Sequence, residues 1–78
     1  MASKTTSNPS QRALAKAIRS AREQAGYSQE AFARRAGLDR SYYGAIERGV
    51  FNVTLQTMLT IVAGLDTSLE QICMQAGL

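Results

Sequence analysis

Nine lysines and arginines and not one histidine limit this chain to the chemistry of charge and hydrogen bonding, without the side chain that most often moves protons near neutral pH. Its one cysteine, Cys73, lies at helical spacing from Leu69 and Ile72 and reads as a small buried hydrophobe. With no histidine and no cysteine pair there is no metal-ligand cluster, so no metal and no cofactor is expected. No glycine-rich phosphate loop is present, and no nucleophile stands with a base, so no enzymatic reaction is expected. The cations are unevenly placed. All nine lie at or before Arg48, opposed by Glu23, Glu30, Asp39 and Glu47, whereas residues 49–78 carry only Asp66 and Glu70. This division predicts one half that faces a polyanion and another half with a different task.

Hydrogen-bond donors gather in "SQEAFARRAGLDRSYYGAIERG", residues 28–49. A helix begun by Asp39 and turning about 100° per residue points Tyr43 and Ile46 inward, and Ser41, Gly44, Ala45 and Arg48 outward. Arg40 and Tyr42 fall on its flanks. The outer face is therefore short and polar, as a helix needs if its backbone is to lie deep in the major groove of duplex DNA. Gly44 costs such a helix on the order of 1 kcal/mol relative to alanine, which close approach to the groove would explain. Arg40 has the planar fork that matches guanine O6 and N7, Ser41 suits a base or a phosphate, and Ala45 suits a thymine methyl. Gln29, together with the backbone N–H groups that open the preceding helix, is a candidate phosphate clamp. Arg34, Arg35, Arg48 and Asn52 are further candidates for phosphate.

Five short helices are expected to position these groups. Residues 1–8 read as a flexible polar tail, and residues 9–78 as one domain. Asn8 and Pro9 open the first helix, which carries Leu14, Ile18, Ala21 and Ala25 inward and stops at Gly26. Ser28 caps the second, with Phe32, Ala33 and Ala36 inside and Gly37 at its end; Asp39 caps the third, which Gly49 closes. Thr54 opens a fourth whose Leu55, Met58, Leu59, Val62 and Leu65 form one stripe. Ser68 with Gln71 marks a fifth. The small Ala33, the turn glycine Gly37, and Leu38, Tyr43 and Ile46 beyond it fill the positions that a helix-turn-helix requires. The fold class expected is all-α, a compact five-helix bundle. Seventy-eight residues give only a marginal core, and Leu69, Ile72, Met74 and Leu78 exceed what one helix can bury. A two-fold dimer through the last helix and the end of the fourth is expected.

Residues 28–49 resemble the helix-turn-helix of the Cro and phage-repressor class, also called the xenobiotic-response-element family. "IRSAREQAGYSQEAFA" is similar to the opening of that family, in which an arginine four residues before the glycine pairs with the glutamate ending the recognition helix. Here the resemblance implies an ion pair between Arg22 and Glu47. "LDRSYYGAIERGVFNVTLQTM" looks closest to the controller proteins of restriction-modification systems, which implies that Arg40, Ser41 and Tyr42 face bases. Phe51 stands where the related pattern commonly has arginine. The partners expected are double-stranded DNA and a second copy of the chain, with no small-molecule ligand and no membrane. Without a signal-peptide stretch in "MASKTTSNPS" or an apolar run long enough to span a bilayer, a cytoplasmic location is expected. The competing reading is a protein-interaction module of antitoxin or coactivator type on the same fold.

Overall fold

In the computed structural model, residues 9–50 and 53–78 are described. The tail over 1–8, the cap Asn8, and Phe51 and Asn52 with the phosphate contact expected of the latter lie outside the described residues. Five helices follow in order: α1 (Pro9–Gln24), α2 (Gln29–Ala36), α3 (Arg40–Glu47), α4 (Leu55–Gly64) and α5 (Leu69–Ala76). Among the described residues there is no strand. No helix there is long and apolar enough to cross a membrane.

Local chemistry sets the helix starts. The side chains of Ser28, Asp39, Thr54 and Ser68 each accept from the backbone N–H three residues on, all at 3.1 Å. Each thereby satisfies one of the donors that a helix start leaves unpaired. The tight turn between α2 and α3 depends on Gly37, whose φ of 72° is a left-handed conformation that glycine adopts without steric cost. Leu38 N–H then reaches back to the Ala33 carbonyl at 2.9 Å, closing α2. The next residue, Asp39, already caps α3, so the angle between the two helices is fixed within a three-residue joint.

Helices of eight residues do not persist alone in water, and a shared core holds them. Ile18, Phe32, Tyr43, Ile61 and Ile72 are its largest fully buried side chains, each stabilising by roughly 1.5–3 kcal/mol relative to exposure. Phe32 stands at the centre, its ring 5.2 Å from Tyr43 and 5.8 Å from Tyr27 in tilted contacts that suit the quadrupoles of aromatic rings. α1 runs behind the helix-turn-helix, packing on α3 and α5, while α4 packs on α2 and α5.

Two expectations about the C-terminal half change. The buried face of α4 is Met58, Ile61 and Val62, with Leu65 just beyond the helix; Leu55 is 64% exposed and Leu59 is exposed as well. "LQTMLTIVAG" is apolar around most of its circumference, so periodicity alone could not select the face that packs. Ile72, expected at a subunit contact, is 1% exposed and belongs to the core, with Leu69 packed against it. Met74 and Leu78 do lie on the surface.

Candidate nucleic-acid interface

A buried polar cluster fixes the end of α3. Arg22, in the last turn of α1, donates from Nε to Glu47 Oε2 at 2.7 Å and from Nη2 to Glu47 Oε1 at 3.0 Å. Its Nη1 donates to the Tyr27 carbonyl at 2.8 Å. Glu47 also accepts from the Tyr43 hydroxyl and, at 3.0 Å, from Gln29 Nε2. Bidentate geometry and full use of the carboxylate's acceptor sites offset the desolvation of two charges. One glutamate at the end of α3 is thus tied to α1, to α2 and to its own helix. Tyr43 lies one turn earlier, and helical spacing predicts only its inward direction. Its spacing of four from Glu47 is the signal that places its hydroxyl against the carboxylate.

Protonation follows from this arrangement. Burial works to raise the Glu47 pKa, but hydrogen bonds from Arg22, Tyr43 and Gln29 outweigh it and hold the carboxyl below its ordinary range. The hydrogen bond to Glu47 raises Arg22 in turn, against the opposing effect of burial. Burial first, and then the hydrogen bond to Glu47, pushes the Tyr43 phenol well above its ordinary range, leaving it a neutral donor.

The surface of α3 is narrower than a single helical wheel implies. Tyr43, Gly44, Ala45, Ile46 and Glu47 are five consecutive buried residues, more than a full turn. Ala45, expected outward against a thymine methyl, is 5% exposed. The reason is that α3 is packed by α1 as well as by α2, so a second neighbour covers directions that one-sided packing would leave open. Gly44 is also covered. A Cβ there would stand 3.3 Å from Gln29 Oε1 and 3.5 Å from Arg48 Nη1, so its missing side chain makes room for those two side chains to cross the helix. What α3 exposes is its N-terminal end, Arg40 and Ser41 with half-buried Tyr42, and beyond its last residue Arg48.

The cations expected on phosphate divide in two. Arg34 and Arg48 are exposed. Arg35, exposed like the other two, is held within the protein: its Nε donates to the Gly64 carbonyl of α4 at 2.9 Å, and its guanidinium lies over the Tyr27 ring, 5.4 Å from the centroid. Gln29, expected as a clamp, has its amide N–H on Glu47. Both side chains therefore also bond within the protein. Neither partner could be read from sequence, because Glu47 and Gly64 are brought to these side chains by tertiary packing. Among the described residues, no group of three or more Cys, Asp or Glu is gathered as metal ligands would be.

A family model described as Helix-turn-helix matches residues 18–72. Control protein C.SmaI of Serratia marcescens is 40% identical over 65 residues, which cover 83% of this chain and 77% of that protein. Control protein C.MunI of a Mycoplasma species is 43% identical over 51 residues, 65% of this chain and 69% of its own length. Among solved structures, the restriction-modification controller protein C.AhdI from Aeromonas hydrophila matches with a TM-score of 0.80 at 35% identity, covering 83% of this chain and 98% of that one.

Proposed function

The chain belongs to the helix-turn-helix family, in the Cro and phage-repressor class with relatives among restriction-modification controller proteins, and on that premise we propose that it regulates transcription by binding duplex DNA as a homodimer. The observation that carries this reading is the exposed end of α3. Arg40 and Ser41 stand at its first turn, where a recognition helix meets base edges, and the buried Arg22–Glu47 pair holds its other end. Arg40 reads guanine through its planar fork, with Ser41 and Tyr42 beside it. Arg34 and Arg48 supply charge to the flanking phosphates without sequence preference.

The second copy docks on the half that lacks basic residues. Leu55 and Leu59 on α4, with Met74 on α5 and Leu78 after it, are exposed large hydrophobics, costly to leave in water and suited to a two-fold contact. Two copies of α3 then enter successive turns of the major groove, about 34 Å apart, on a near-palindromic operator. A cytoplasmic location belongs to the same reading.

Selection of bound sites from a random duplex library, followed by titration at several salt concentrations, tests it. The expected result is a near-palindrome bound about a thousandfold or more tighter than unrelated duplex. Binding that is weak and equal on all sequences would instead favour the protein-interaction module.

A further inference from the structure

The helix-turn-helix and the α4–α5 pair are joined through two sets of contacts. One is α1, which packs on both α3 and α5; the other is α4 resting on α2. Three residues meet at one point of this second joint. Gly64, the last residue of α4, lies so close to Phe32 that an added Cβ would be 3.1 Å from ring atoms Cε1 and Cζ, nearer than carbon atoms settle. Phe32 is fully buried, so its ring has no space into which to withdraw. Arg35, one turn further along α2, bonds the carbonyl of that same Gly64, an oxygen in the last turn, where helices leave acceptors unpaired. The guanidinium is itself held over Tyr27, which packs on Phe32. Close approach and a directed polar bond thus meet at one residue of α4.

In a dimer joined by α4 and α5, the distance between the two copies of α3 is transmitted through α1 and this joint. Any tilt there is applied once in each protomer, so the two-fold axis doubles its effect on the separation. Adjacent base pairs are about 3.4 Å apart along the duplex, so a shift of a few ångström changes the spacing that fits. We propose that the seat of α4 on α2, made by Gly64, Phe32 and Arg35, sets the half-site spacing the dimer accepts, with Arg35 as a positioning residue that does not touch DNA. This rests on the DNA-binding dimer proposed above.

The test uses half-sites from the duplex that the wild-type chain selects out of a random library. They are presented singly, and in pairs at the selected spacing and at one or two base pairs more or fewer. Wild type is expected to favour its own spacing by about tenfold or more. Arg35→Ala should hold a single half-site within about twofold of wild type yet lose most of the spacing preference, and Arg35→Lys should recover part of it. Gly64→Ala, a wedge against Phe32, should move the preferred spacing; if that variant does not fold, the arginine pair decides. An Arg35→Ala chain that keeps the wild-type preference, or that weakens on the single half-site and on all spacings alike, overturns the proposal and leaves the DNA-binding reading standing. A wild-type chain that selects no duplex overturns that reading, and the proposal with it.

Discussion

Glu47 carries more of this structure than any other polar residue described, because one carboxylate accepts from Arg22, Tyr43 and Gln29. Its replacement by alanine would leave the Arg22 guanidinium buried without its charge partner, and Glu47→Ala should lose about 3 kcal/mol or more of stability in chemical denaturation. The same site predicts a response to acid. Its pKa in the folded chain lies below the ordinary carboxylate value, so its contribution is fully present above about pH 4.3 and is lost as pH falls through the folded value. Acid titration of wild type and Glu47→Gln by circular dichroism should show a steeper loss of stability in wild type across that window. Arg40 has the opposite character, exposed and at the first turn of α3. Arg40→Ala should cost about 1–3 kcal/mol per half-site and relax selectivity at one base position, with little change on unrelated duplex. An equal loss on operator and unrelated DNA would identify it as a phosphate contact.

The helices show how one residue type serves two purposes. Gly44 and Gly64 both lie within helices, where alanine is favoured by up to about 1 kcal/mol. At Gly44 the nearest atoms are the ends of Gln29 and Arg48, flexible side chains that can shift by tenths of an ångström. Gly44→Ala should therefore raise stability, by at most about 1 kcal/mol, with Gln29 shifting slightly and its bond to Glu47 kept. At Gly64 the neighbour is the buried Phe32 ring. Gly64→Ala should lose about 1–3 kcal/mol through overpacking. Thermal or urea denaturation of the two variants side by side reads the difference in sign.

At the scale of the whole molecule the charge division and the apolar surface coincide. The basic residues belong to residues 1–48, while exposed Leu55, Leu59, Met74 and Leu78 belong to the half that has only Asp66 and Glu70. Met74 is 66% exposed, and covering apolar side chains of this size yields roughly 1.5–3 kcal/mol each. Sedimentation equilibrium at micromolar concentration should find wild type dimeric and the double variant Leu59→Glu, Met74→Glu monomeric, with helix content retained because neither side chain is in the core. The monomer should also lose most of its affinity for a two-half-site duplex. Retention of the dimer would place the subunit contact on another face.

Chain-local chemistry was legible residue by residue. Four caps, the turn at Gly37 and the ends of α1, α2 and α3 follow from interactions spanning at most five positions, which the order of residues already contains. The inward direction of Phe32, Tyr43 and Ile46 follows equally from helical spacing. The Arg22–Glu47 pair spans twenty-five positions and was implied by family resemblance, since no local rule brings α1 to the end of α3. Tertiary packing decided the rest. Ala45 points away from Tyr43 on the helical wheel and is buried all the same, because α3 has α1 as a second neighbour; α4 is apolar on several sides, so its packing partners chose the face; Arg35 and Gln29 found partners that sequence does not place. A helical pattern fixes angles about one axis, whereas burial depends on how many other axes surround it, and only the folded chain supplies that number.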